Sequence, residues 1–148
     1  MKEVPKVTRC NLTLRLNKVN IAGSIEVDPH SNNITMDLID SIIRNSVIET
    51  SELYLTAVNS NFDETSFYLS TLVEPKAINC TFKGADFRFA IIIDGHFTSC
   101  DFTGSLIHKA TEFDNVTFEN CVFDDETKEI LKGRSGVILI EETLSTEF

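Results

Sequence analysis

From Cys80 to Phe123 a large apolar residue returns every five positions. The series is Phe82, Phe87, Ile92, Phe97, Phe102 and Ile107, followed after one extra residue by Phe113, Phe118 and Phe123. Two residues ahead of each stands a small or compact one: Cys80, Ala85, Ala90, Gly95, Cys100, Ser105, Thr111, Val116 and Cys121. A strand alternates every two residues and a helix repeats near 3.6, so neither sustains a period of five. A chain with this pattern turns a corner once per repeat and must coil so that its copies stack, which makes it a solenoid. Nine of the eleven Phe fall on centre positions, and this fixes the register.

Ala85-Asp86-Phe87, Cys80-Thr81-Phe82 and Cys100-Asp101-Phe102 resemble the repeat of the pentapeptide repeat family: a small residue, Asn or Asp, Leu or Phe, then two variable positions. The resemblance implies an all-β fold, a right-handed quadrilateral β-helix with one repeat per side and both the centre and the small residue pointing inward. Four sides of five residues predict a second period of twenty. Asn59-Ser60-Asn61-Phe62, Asn79-Cys80-Thr81-Phe82, Ser99-Cys100-Asp101-Phe102 and Asn120-Cys121-Val122-Phe123 recur at intervals of 20, 20 and 21.

The flanks read differently. Residues 1–35 carry apolar alternation at Leu12, Leu14 and Leu16 and again at Ile21, Ile25 and Val27, then turn residues from Asp28 to Asn33; we expect a strand-rich N-terminal cap. The repeats occupy 36–125, about four and a half coils. Their early centres are Leu38, Ile43, Ile48, Leu53 and Val58, preceded by Met36, Ser41, Ser46, Ser51 and Thr56, with a step one residue short from Val58 to Phe62. Pro75 falls on an inward position and removes a ladder donor, which predicts a local bulge. In the C-terminal segment, 126–148, Asp124-Asp125 suits a helix start, Glu126 to Lys132 a short helix, and Gly133 its end. The apolar run Val137, Ile138, Leu139 and Ile140 must cover something: the last coil, or its copy in a homodimer. The resemblance favours the dimer.

Cys80, Cys100 and Cys121 share one inward column, so they read as a core ladder of thiols and not as a metal site or disulfides; Cys10 stands apart. With no eighteen-residue apolar run and no basic-then-apolar start, we expect a cytoplasmic protein without a membrane span or signal peptide. No catalytic constellation survives placement on the coil. His96 and His108 point outward, and Cys100 points inward, away from Asp94 and His96. We expect no enzyme, cofactor or metal.

Charge and surface carry the functional reading. The net charge of -10 lies on residues 36–125, which hold fifteen Asp and Glu against five Lys and Arg. A rod of this length spans roughly 22 Å at strand spacing, over which duplex DNA would carry about thirteen charges. Asp63, Glu64, Asp101, Asp124 and Asp125 fall on one side, and Glu74, Asp94, Glu112 and Asp114 on the opposite one. The resemblance implies a partner, because some members of the family imitate duplex DNA on the DNA-binding saddle of type II topoisomerases, gyrase above all. We therefore expect a DNA-like acidic rod that binds a protein and does not itself bind nucleic acid. The alternative is an assembly or adaptor module that uses an exposed apolar corner formed by Tyr54, Leu69, Val73, Phe89, Ile91 and Ile93.

Overall fold

The computed structural model describes residues 11–21, 26–27, 33–50, 52–108 and 110–141. Cys10, Ile25, Ser51 and the turn residues Asp28 to Asn32 lie outside them. The strands are β1 (Asn11–Asn17), β2 (Glu26–Val27), β3 (Asn33–Ile39), β4 (Val47–Ile48), β5 (Leu53–Val58), β6 (Thr71–Val73), β7 (Lys76–Ile78), β8 (Ile91–Ile93), β9 (His96–Thr98), β10 (Glu112–Asp114) and β11 (Val116–Glu119). Helix α1 (Asp125–Lys132) and β12 (Val137–Ile140) follow.

Every strand pairing is parallel, and each joins a residue to its equivalent about twenty positions away, so the chain is a β-solenoid. Four stacks define four sides. Leu53, Leu72, Ile92 and Phe113 align on side one, and Ala57, Ala77, Phe97, Phe118 and Leu139 on side two. Side three aligns Ile42, Asn61, Thr81, Asp101 and Val122, one residue before its centres; side four does the same with Val47, Ser66, Asp86 and Leu106. Within a repeat two residues face in and three face out, the last of these turning the corner with positive φ, as at Glu64, Glu74 and Asp94. That division of five is the physical origin of the period.

The stack reaches beyond the expected four and a half coils to about six, because β1 lies on β3 as one more parallel rung and β12 lies on β11. The N-terminal strands therefore cover the first coil in the coil's own register, with Leu14 and Leu16 half-buried.

The expected centres Leu38, Ile43, Ile48 and Leu53 are buried, as are Met36, Ser41 and Ser46 ahead of them, and the register needs correction only from Leu53 to Phe62. Val58 and Thr56 face outward, whereas Leu55 and Ala57 are buried, at 1% and 0% exposure. β5 and β3 run straight through the corner between sides one and two, so inward positions alternate by two: Ile34, Met36 and Leu38, then Leu53, Leu55 and Ala57. Met36 and Leu55 fill the widened corner, and the short step falls between Leu53 and Ala57. The buried Thr50 holds the small-residue position, its N–H donating to Ser70 Oγ at 3.0 Å.

Pro75 makes no bulge. It occupies the corner between β6 and β7, where its carbonyl accepts His96 N–H at 2.8 Å, and the ladder stays in register from Lys76 with His96 to Ile78 with Thr98. Gly95 lies against it in the next coil, where a Cβ would sit 2.9 Å from Pro75 Cγ.

Aromatic columns fill the interior. Phe62, Phe82, Phe102 and Phe123 stack at 5.0, 5.0 and 5.1 Å between ring centroids, and Phe97 on Phe118 at 5.2 Å. Of the inward hydroxyls, the buried Ser105 Oγ has no hydrogen-bond partner, whereas Thr65 Oγ1 donates to Ile43 O and Ser70 Oγ to Ile48 O, which offsets their burial. The thiol ladder behaves alike: Cys80 Sγ donates to Ile78 O, Cys100 Sγ to Thr98 O and Cys121 Sγ to Phe97 O, at 3.4, 3.4 and 3.3 Å. The neighbouring Cys121 and Cys80 thiols, together with burial, push the Cys100 thiol far above its ordinary range. An alkylating reagent added to folded protein should modify the half-buried Cys121 before Cys80 or Cys100, which should react only in denaturant. Native labelling of Cys100 would contradict its inward placement.

Asp124 is the N-cap residue of α1, yet its carboxylate does not cap the helix; Oδ2 accepts Gly104 N–H at 2.8 Å and ties the helix start to the preceding coil. Thr127 and Leu131 are the buried face of α1. Among the described residues no helix is long and apolar enough to cross a membrane.

Candidate functional site

The acidic residues expected on opposite sides of the rod do lie on sides three and one, but their chemistry differs. On side three they hold turns. Asp63 N–H donates to Asn61 Oδ1 at 2.8 Å, and Asp63 Oδ1 accepts Lys83 N–H at 2.9 Å. Asp101 Oδ1 accepts Thr103 N–H at 2.9 Å, and its Oδ2 lies 3.7 Å from Lys83 Nζ. Burial raises the Asp101 carboxyl, but the Thr103 hydrogen bonds and the Lys83 charge outweigh it and leave the group below its ordinary range. Asp86 on side four repeats the device: its carboxylate accepts Arg88 N–H at 3.0 Å and pairs with the guanidinium at 2.8 Å. The short polar residue before the centre thus closes a local turn over the N–H two residues on. Of the side-three candidates, Glu64, at a corner, and Asp124 and Asp125, at the start of α1, are exposed.

Side one is arranged otherwise. Glu74 and Asp94 occupy its exit corner on successive coils, with φ of 52° and 53°, and Glu112 and Asp114 flank Phe113 on the last rung. All four are exposed. Asp94 Oδ1 accepts Asn115 Nδ2–H at 2.9 Å. Strands β6, β8 and β10 carry no Lys or Arg; Arg134 packs over the Phe113 ring at 5.7 Å, at the end of the stack.

The apolar corner shares this side, a coincidence that reading the two features separately does not reveal. Val73 pairs with Ile93 and Thr71 with Ile91, while Glu112 pairs with Ile91 and Asp114 with Ile93. Acid therefore continues the same outward columns that begin apolar. Tyr54, beside Leu53, heads the Val73–Ile93 column, and its hydroxyl donates to Glu52 Oε2 at 3.2 Å. That bond, with the charge of Glu52, raises the Tyr54 pKa. Leu69 and Phe89 form the entry corner, 62% and 48% exposed. Side one thus runs from an apolar edge through aliphatic strands to an acidic edge.

Other candidates are not brought together. His96 points outward on side two with Nε2 3.1 Å from Glu119 Oε2, on the far side of the wall from Cys100 Sγ. Among the described residues no cluster of three or more His, Cys, Asp or Glu is arranged to hold a metal. In the C-terminal run Val137 and Leu139 are half-buried, whereas Ile138 and Ile140 are 48% and 44% exposed on the rung that β12 adds to β11.

The profile described as "Pentapeptide repeats (8 copies)" matches residues 65–104. No curated protein sequence matches the chain. Among solved structures it is similar to HetL, a pentapeptide repeat protein involved in heterocyst differentiation regulation in the cyanobacterium Nostoc. The two are 13% identical over 69% of this chain and 58% of HetL, with a TM-score of 0.35, so the chain spans little more than half of HetL's length. It is similar to Rfr23 of the cyanobacterium Cyanothece at 16% identity, covering 78% and 88% of the two chains, with a TM-score of 0.30. Full-length QnrB1, a plasmid-mediated fluoroquinolone resistance protein, is 11% identical over 86% and 92%, with a TM-score of 0.25.

Proposed function

We propose that this chain, whose residues 65–104 match the pentapeptide repeat model, is a non-enzymatic protein-binding rod of the cytoplasm. Its working surface is side one, and its partner is the basic surface of a DNA-binding enzyme such as DNA gyrase. The observation that carries this reading is the charge of that side: Glu74, Asp94, Glu112 and Asp114 are exposed on it, and its strands β6, β8 and β10 carry no Lys or Arg. Side three contributes less, because Asp63 and Asp101 are committed to its turns and to Lys83. A surface of this sign repels nucleic acid and attracts the proteins that bind it, chiefly by accelerating encounter.

The test is binding to gyrase over a salt series, with and without duplex DNA as competitor. Binding should weaken as salt rises and be displaced by DNA, since both ligands would use the same cationic surface. The triple substitution Glu74→Gln, Asp94→Asn, Asp114→Asn should lower affinity about tenfold, mostly through the association rate, and leave the melting temperature unchanged. Affinity indifferent to the triple substitution would remove side one as the contact face. No binding at low salt would remove gyrase as the partner.

A further inference from the structure

Thirteen described residues other than glycine hold positive φ, and eleven of them carry Asn, Asp, Glu, Ser or Lys side chains. The two exceptions are Leu69 (φ 62°) and Phe89 (φ 57°), at the same corner of successive coils between sides four and one. Each is third in a four-residue turn, closed by Ser70 N–H to Phe67 O and by Ala90 N–H to Phe87 O at 3.1 Å. That position favours Gly or Asn, and Gly84 and Gly104 occupy it at the preceding corner. Both side chains are also largely in water, 62% and 48% exposed. Backbone and solvent alike penalise Leu69 and Phe89, and the core gains nothing from them. A strained backbone under exposed apolar side chains is the mark of a contact surface.

We propose that the Leu69–Phe89 ridge is the apolar anchor with which the rod docks a protein partner whose apolar pocket is rimmed by Lys and Arg. This rests on the reading of the rod as a protein-binding module and not on the identity of gyrase. Phe89 stands edge-on to both Tyr68 and His108, each with ring centroids 5.7 Å apart, so its ring is held before any partner arrives and less ordering cost falls on binding. The basic rim follows from the acidic edge of the same side, where Asp94 and Asp114 lie beyond Ile93. A second copy fits poorly: two sides one would set like charges against each other. The open groove of about 500 Å³ beside Leu16, Ile39 and Val58 has its Arg15 already paired to Asp37, at 3.5 Å.

The test compares the full chain with its Leu69→Asn, Phe89→Asn double variant, using two probes: an amphipathic Leu/Lys helical peptide and a polylysine of equal charge. The variant should melt higher than the parent, because strain and apolar exposure are both relieved. It should bind the Leu/Lys peptide about tenfold more weakly and polylysine equally well. The side-one acid substitutions should instead weaken polylysine, so a failure of the charge reading and a failure of the ridge are told apart. A lower melting temperature would overturn the proposal by making the ridge structural, and unchanged peptide affinity would overturn it directly. Self-association of the parent abolished by the double variant would overturn the assignment of the partner in favour of a second copy.

Discussion

Phe102→Ala is expected to lower stability by about 3–5 kcal/mol, the range for truncating a fully buried aromatic side chain. Phe102 is 1% exposed and touches five other rings: it stacks on Phe82 at 5.0 Å and on Phe123 at 5.1 Å, and meets Phe87, Phe97 and Phe118 at steeper angles. Removing it breaks a continuous column and leaves a void that the rungs cannot close, because their spacing is set by backbone hydrogen bonds and not by the side chains between them. Denaturant titration measures the loss. Phe89→Ala is the internal control, an aromatic truncation in an adjacent coil on the outside of the wall. Equal costs at the two positions would mean that the inward and outward columns have been confused.

Gly136→Ala is the second large effect. Gly136 sits at φ 86°, and a Cβ there would lie 2.2 Å from Phe113 O and 2.9 Å from its carbonyl carbon, both backbone atoms that cannot swing aside. The conformational penalty alone is about 1–2 kcal/mol, and relief of the clash requires Gly136 to move off the stack. Its carbonyl accepts Val116 N–H at 2.8 Å, the first bond of the rung that ends at Asn120 N–H to Ile140 O, also 2.8 Å. We expect β12 to detach while the coils below it persist. Amide exchange should then accelerate at Val116 and Asn120 and remain slow at Phe82 and Phe87. Protection retained at Val116 would show that the strand tolerates the substitution.

From Phe62 onward the architecture was readable in the residues, because Phe at the centre and Cys, Ala or Ser two positions earlier leave one possible register. Nearer the N-terminus the same rule misplaced Val58 and Thr56. In β5, as in β3, a large residue stands where later coils carry Pro75 or Gly95, and the corner opens into a straight strand. Apolar alternation at Leu53, Leu55 and Ala57 was the available signal, and it was masked by the five-residue count. The acidic and apolar candidates were placed on their sides by counting alone. What counting could not supply is which carboxylates are already occupied: the bonds from Asp63 and Asp101 to turn N–H groups depend on backbone direction at each corner, which sequence spacing does not encode. The strain at Leu69 and Phe89 was hidden for the same reason, since it resides in φ and not in residue type.

The uniform stacking distance also governs how such a chain finds its structure. Because nearly every partner lies one coil away, no step must close a loop much longer than about twenty residues, and each new coil adds to a preformed template at similar entropic cost. Growth of this kind resembles a zipper with unequal teeth. The coils from Phe62 to Phe123 interlock through stacked rings, whereas the first rungs offer Leu14, Leu16 and Ile21, which stay half-buried. On this packing we expect nucleation in the aromatic half and fraying at β1, so that the coils lock from Phe62–Phe123 toward the N-terminal rungs.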